Sequence, residues 1–172
     1  MLFTILPETT SDHAAIYEIN AQAFGREDEA NLVDQLRRSD AFIPALSLIA
    51  TKEGRALGHI LFTKCLIRNA AGRETGSLAL APMSVRPEWQ RKGIGSQLVH
   101  AGLQRAASLG FSSVIVLGHA DFYPRFGFEP ASRWGIQPPF AVPDHVFMAL
   151  PLRPDALDDA GGVVVYPQAF GI

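Results

Sequence analysis

The stretch Val85-Arg86-Pro87-Glu88-Trp89-Gln90-Arg91-Lys92-Gly93-Ile94-Gly95-Ser96-Gln97-Leu98 decides how the rest of the chain is read. Before it, Gly76 to Val85 is a strand-like run rich in Leu and Ala, and Pro87 stops that run. After it, the segment from Gly93 to Leu109 predicts a helix whose apolar arc collects Ile94, Leu98, Ala101, Gly102, Ala106 and Leu109. Gly110 follows, where a C-terminal glycine belongs. A glycine-bearing loop therefore leads from a strand into the N-terminus of an amphipathic helix. Gly93 and Gly95 let the backbone approach a ligand closely. Unpaired N–H groups and the positive helix end favour a phosphate at that point. Arg91 and Lys92 add charge beside it. These residue types in this order predict a pyrophosphate cradle. It is neither of two better-known ones. Gly95-Ser96-Gln97 does not supply the Gly-Lys-Ser/Thr of a Walker loop, and Leu98 stands where the dinucleotide fingerprint needs a third glycine or alanine.

Working outward, Leu2 to Leu6 reads as a strand ending at Pro7. Ser11 or Asp12 is placed to cap a helix running to about Phe24, and Asp28 to cap a second carrying Leu32, Val33 and Leu36 at helical spacing. Leu46 to Thr51 and Ala56 to Ile67 read as strands joined by the four-residue turn Lys52-Glu53-Gly54-Arg55. Beyond the central helix, Ser113 to Leu117 has the composition of a strand buried on both faces. A short segment from Asp121 to Arg125, a strand start at Phe126-Gly127-Phe128, and closing strands at His145 to Leu150 and Gly162 to Tyr166 complete the pattern. Pro130 to Pro143, rich in Pro and Trp, is expected to be an ordered loop shaping a pocket rim. Turn-linked strands flanked by helices predict an α+β fold with a mixed, mostly antiparallel sheet. One domain over residues 1–172 fits that order.

The bulk numbers narrow the function classes. The chain has 172 residues, 48% apolar and 19% charged, a globular composition. Net charge is -2, from 17 acidic against 15 basic residues, with no basic stripe, so nucleic acid is not an expected partner. Cys65 is the only cysteine, which excludes an intrachain disulfide and a Cys-based zinc cage. His13, His59, His100 and His145 are scattered without metal-ligand spacing, so no metal is expected. The N-terminus reads as a strand rather than a signal peptide, and no stretch approaches the ~20 apolar residues of a membrane span. A cytoplasmic protein with no membrane partner is the expectation.

Val85-x-Pro87-x-x-Gln90-Arg91-x-Gly93-x-Gly95-x-x-Leu98 resembles motif A of the GNAT superfamily of N-acetyltransferases. Downstream, Tyr123-Pro124-Arg125-Phe126-Gly127-Phe128 resembles that family's Tyr-x-x-x-Gly-Phe element. The Leu117-Gly118 dipeptide ahead of it is similar to a small bacterial subgroup. The resemblance spans nearly the whole chain, with its specific part at about Leu80 to Phe128. It implies a GNAT fold splayed near Val85 and acetyl-CoA as co-substrate. It also implies direct transfer, within a ternary complex, to a primary amine of a small molecule or peptide. Backbone groups of Met83 and Val85 would pair with the pantetheine arm. Amides of Arg91, Lys92, Gly93, Ile94, Gly95 and Ser96, with Gln90 nearby, would hold the pyrophosphate. Tyr123 matches the tyrosine that protonates the departing thiolate, a task suited to a phenol neutral at pH 7.

Other roles stay open at this level. The proton lost by the amine has four candidate acceptors: Glu29 foremost, then Glu27, His119 and Asp121. Tyr123 could instead serve as a core aromatic against Phe126 or Phe128. Cys65 offers a rival ping-pong route, but nothing beside it activates a thiol and its neighbours read as a buried strand. Trp89 packs at the cradle or covers the cofactor's edge, and Trp134 is either a wall of the acceptor pocket or plain packing. A non-catalytic acyl-CoA-binding module and an enzyme for longer acyl chains are the competing functions. The closing strands near the C-terminus could support a homodimer.

Overall fold

The computed structural model describes residues 2–172, and its backbone contacts divide the chain into two units. One runs through Phe62 and resumes over Ala81–Arg105; the other holds Thr63–Leu80 and Ala106–Ile172. The sheet is mixed and mostly antiparallel, with flanking helices, as the sequence predicts.

In the first unit, β1 (Thr4–Pro7) pairs antiparallel with β2 (Phe42–Lys52), Thr4 opposite Thr51. A turn at Glu53 and Gly54 then leads into β3 (Arg55–Arg68), whose residues through Phe62 belong here. Both turn residues take positive φ, 51° and 77°, the two-residue hairpin geometry that matches the twist of the strands. The tail of β4 (Glu74–Val85) lies next to β3 in the strand order. Helices α1 (His13–Phe24) and α2 (Asp28–Arg37) bury Ile16 and Ile19, and Ala30, Val33 and Leu36. Asp12 occupies the N-cap position of α1, as expected, and also closes a 3-10 turn at Thr10–Asp12 in which the Thr9 amide donates to its carboxylate at 2.7 Å; α2 differs, with Glu27 rather than Asp28 preceding it. Helix α3 (Ile94–Ser108) buries Ile94, Leu98, Val99 and Gly102 on this side.

In the second unit, β4 pairs in parallel with β5 (Ser113–Leu117) at Leu78–Val114 and Ala79–Ile115. The two-residue strands β6 (Glu129–Pro130) and β7 (Ile136–Gln137), together with β8 (Phe147–Pro151) and β9 (Gly162–Val165), extend the sheet. β8 lies antiparallel between β5 and β6, while β9 pairs antiparallel with β3 and parallel with β7. The core here gathers Cys65, Ile67, Ile115, Ile136, Phe147, Leu157 and Val164. Two expectations fail locally. Phe126–Phe128 is not a strand: Tyr123–Phe126 forms a 3-10 turn closed by Gly127 at φ 99°. Leu109, placed in the buried arc by its spacing, lies beyond the end of α3 and is 51% exposed. Among the described residues no helix is long and apolar enough to cross a membrane.

Candidate active site

The cradle is built from the end of β4 outward. Val85 closes the strand; Arg86 follows, and its backbone N–H donates to Leu57 O at 2.8 Å. The Arg86 side chain is buried, an unusual place for a charge, and every contact is charge-assisted or to a carbonyl. Nε donates to Ala56 O at 2.6 Å, and one terminal nitrogen reaches Glu18 Oε1 at 2.7 Å and Gln22 Oε1 at 3.2 Å. The hydrogen bond from Arg86 holds the Glu18 carboxyl below the usual carboxylate range. One guanidinium thus ties the cradle's entrance to β3 and α1. Sequence reasoning passed over Arg86; the available signal was a lone cation closing an apolar strand.

Pro87–Trp89 then makes a single 3-10 turn, and the Gln90 side-chain amide folds back to Val85 O at 3.0 Å. Arg91 and Gly93 both take left-handed conformations, φ 61° and 85°. For arginine that geometry is unfavourable, and strain of this kind concentrates where a loop is shaped for a ligand. A Cβ built on Gly93 meets nothing within 4 Å, so the loop backbone is open on that side. The bond from Gln97 N–H to Gly93 O at 3.1 Å opens the helical ladder, which leaves the amides of Ile94, Gly95 and Ser96 ahead of it without helical acceptors. This donor set, flanked by the exposed Arg91 and Lys92, fits a phosphate group. On β4 the register with β5 covers Leu78 and Ala79 only, and the Met83 and Val85 backbones come later on the strand.

Tyr123 sits in the other unit. Its amide and that of Phe122 both donate to His119 O, at 3.2 and 3.1 Å, which sets the turn. The ring is 7% exposed and packs edge-on against Phe122 and Phe128, with centroids 5.0 and 5.6 Å away. Burial pushes the phenol up to about 12, so it stays protonated across the physiological range. Gly118 makes room for it: a Cβ there would lie 2.3 Å from Tyr123 Cε2. The packing role considered for Tyr123 is real, and the Leu117-Gly118 dipeptide has a steric reason.

The candidate bases fare unequally. Glu29 is gripped by Arg26, with Nε to Oε1 at 2.9 Å and a second guanidinium nitrogen to Oε2 at 2.6 Å. That hydrogen bonding lowers the Glu29 carboxyl below its ordinary value and so weakens it as a proton acceptor. Glu27, His119 and Asp121 are solvent-exposed. Cys65 is buried, and desolvation pushes its thiol up to about 12, the opposite of what a nucleophile needs. Trp134 is half-buried against the core cluster of its unit, with the Arg133 guanidinium 5.1 Å from its ring centroid. A cavity of about 560 Å³ does open in that unit, lined by Arg68, Asn69, Gln137, Pro139, Val163 and Tyr166 among others. The expected rim segment contributes Gly135, Gln137 and Pro139 to it, and Trp134 is not in its wall.

Comparison with known proteins points to one family. The model of the Acetyltransferase (GNAT) family matches residues 13–128. The chain is 41% identical over 144 residues to the uncharacterized N-acetyltransferase YjhQ of Escherichia coli K12, covering 83% of this chain and 79% of that protein. It is 30% identical to the uncharacterized N-acetyltransferase YhbS of the same strain, covering 95% of each. The crystal structure of Escherichia coli YhbS in complex with CoA superposes with a TM-score of 0.90 at 28% identity, over 99% of this chain and 92% of that one. A GNAT family acetyltransferase from Brucella melitensis in complex with acetyl-CoA gives a TM-score of 0.80 at 33% identity, over 98% of each chain.

Proposed function

The chain belongs to the GNAT acetyltransferase family and is an acyl-CoA-dependent N-acetyltransferase, and from that premise we propose that it transfers acetyl directly from acetyl-CoA to a primary amine of a small molecule or peptide in the cytoplasm. The observation that carries this reading is the loop 90–96, where left-handed Arg91 and Gly93 deliver the chain into α3 with its first amides unspent. Backbone amides of residues 91–96 would hold the diphosphate, with the Arg91 and Lys92 charges beside them. Met83 and Val85 would lend backbone groups to the pantetheine arm. The whole chain 1–172 would act as one catalytic domain.

The amine attacks the thioester carbonyl, the C–S bond breaks, and one proton passes in net from nitrogen to sulfur. Tyr123 gives the departing thiolate its proton and recovers one from solvent. Its raised pKa keeps the phenol protonated at neutral pH, the state a proton donor needs, while making it a weaker acid than an unburied tyrosine. On the nitrogen side Glu29 is the carboxylate proposed as base, although its Arg26 fork must loosen for it to act. Burial of the Cys65 thiol supports direct transfer over a ping-pong route.

The test is release of free CoA from acetyl-CoA across an amine library, together with calorimetry of CoA binding. Tyr123→Phe should lower kcat by ~10²- to 10⁴-fold, the usual contribution of a positioned acid, while CoA binding stays near wild type. Undiminished turnover by that variant removes Tyr123 from the mechanism. No CoA binding by the wild-type protein removes the whole reading.

A further inference from the structure

Two lysines converge on one indole at the mouth of the cradle. Lys92 Nζ lies 5.0 Å from the Trp89 ring centroid, and Lys52 Nζ lies 5.4 Å from it. Lys52 is not part of the glycine loop; it closes β2, more than thirty residues earlier, where the Glu53–Gly54 turn begins. Each ammonium is within the range at which an aromatic face attracts a cation. The indole therefore holds together two like charges that would otherwise repel.

What they lack is a counter-charge. None of the ion pairs among the described residues includes Lys52, Lys92 or Arg91. Glu88, next to Trp89 in sequence, is already held by Arg55 at 2.8 Å. Lys52 is also only partly exposed, so less water screens it than a free surface lysine. Two ammonium groups beside one ring, with no carboxylate on either, concentrate positive charge that favours a ligand with more than one negative charge.

We propose that Lys52 and Lys92, gathered on Trp89, form a subsite for a phosphomonoester, which in CoA is the 3′-phosphate on the adenosine ribose. This rests on the reading of residues 91–96 as the diphosphate cradle. Lys92 directly precedes Gly93, so one end of the pair adjoins that cradle, and CoA carries a diphosphate and a monoester a short distance apart on one nucleotide. Two compact ammonium groups suit a monoester dianion, which has no need of the planar fork of an arginine. Lys52 gives this chain a means of telling CoA from its 3′-dephospho form, a distinction that the backbone amides alone cannot make.

Calorimetry with CoA and 3′-dephospho-CoA tests the subsite, on the wild-type protein and on Lys52→Met and Lys52→Arg. Wild type should bind dephospho-CoA about tenfold more weakly than CoA, a gap that narrows as salt is raised. Lys52→Met should lose roughly threefold or more in CoA affinity and leave dephospho-CoA affinity unchanged, while Lys52→Arg restores most of the loss. Dephospho-CoA is the internal control for folding, since a damaged cradle weakens both ligands together. Equal binding of the two by wild type, or equal weakening of both by Lys52→Met, overturns the subsite alone. If wild type binds neither ligand, the cradle reading falls and the subsite falls with it.

Discussion

In the unit that carries the cradle, the ionised side chains taken out of water, Glu8, Arg37 and Arg86, are each paired with an opposite charge. Glu8 accepts from Arg37 Nε at 3.0 Å, meets His13 Nε2 at 3.0 Å and accepts the Ser47 hydroxyl, while Arg37 also reaches Asp34 at 2.9 Å. Ser47 has one proton and gives it to Glu8, so its oxygen must accept from the Nε2–H of buried His59, 2.9 Å away. In the unit that carries Tyr123, burial instead keeps protons on: the Cys65 and Tyr123 groups and partly buried Tyr166 are all shifted up, and the Ser77 and Ser113 hydroxyls pair at 2.7 Å. The same chain therefore meets the cost of burying polarity in two ways, by pairing charges and by keeping protons on. The first arrangement is vulnerable to losing a partner or gaining a proton, the second to losing one.

Cutting the charged network should have the largest effect. Glu8→Gln leaves the Arg37 guanidinium buried without its main carboxylate, a change that typically costs about 3–5 kcal/mol. Urea denaturation should show a midpoint lowered accordingly at unchanged slope. A loss below about 1 kcal/mol would mean that Arg37 finds another partner or water, and the contrast between the units would weaken.

Opposite pH liabilities follow next in size. Desolvation, with Arg37 adding to it, drives the His59 imidazole down to about 3 from the ordinary 6.5. It is neutral in the fold and protonated in the unfolded chain between those values, so the unfolded state binds more protons. Stability is lost as pH falls through that window, by up to ~1.4 kcal/mol per unit. For Tyr123 and Cys65 the sign reverses. Burial holds both up to about 12, from 10.0 and 9.0, so the unfolded chain ionises first and stability is lost as pH rises from about 9 to 12. Stability curves for His59→Gln and Tyr123→Phe separate the two. The histidine variant should flatten only the acid limb, and the tyrosine variant only the alkaline one.

How much of this was legible beforehand follows the same division. The cradle could be read because its determinants are contiguous: a proline stop, two glycines and a helix start lie within a dozen residues. Lys52 on Trp89 and Arg86 on Glu18 could not, because strand register and helix placement bring those pairs together and no local pattern encodes them. The Glu8–Ser47–His59 chain likewise joins the end of β1 to β2 and β3, and no one of the three residues marks it by itself. Phe126–Phe128 departs from the expected strand for a different reason. Alternating aromatics suggest a strand, but Pro124 at the start of a 3-10 turn and Gly127 at φ 99° impose a bend. The second helix start missed by one residue because Glu27, Asp28 and Glu29 are all acidic, and the sequence offers no way to rank them.

Gly118→Ala probes the tightly packed unit. The added Cβ must displace the Tyr123 ring it would otherwise meet at 2.3 Å, at a cost of about 1–3 kcal/mol for overpacking. Under the role proposed for Tyr123, kcat should fall with it while CoA affinity holds, because the cradle lies elsewhere in the chain. Full activity in a folded Gly118→Ala protein would mean that the ring position is immaterial to catalysis.

Gly93→Ala should have the smallest effect on stability and an informative one on binding. Its Cβ would enter open space, so no packing is disturbed, and the only penalty is holding alanine at φ 85°, about 1 kcal/mol. If the loop merely joins β4 to α3, thermal stability and CoA affinity should fall by the same small amount. If the left-handed residues aim the amides of residues 91–96 at a phosphate, the alanine relaxes toward φ < 0 when the ligand is absent. Ligand binding must then restore the strained loop, so CoA affinity drops several-fold while the melting temperature barely moves. The two glycines thus separate the two units by mechanism: at Gly118 an added carbon acts through volume on a side chain, and at Gly93 it acts through backbone angle on a ligand.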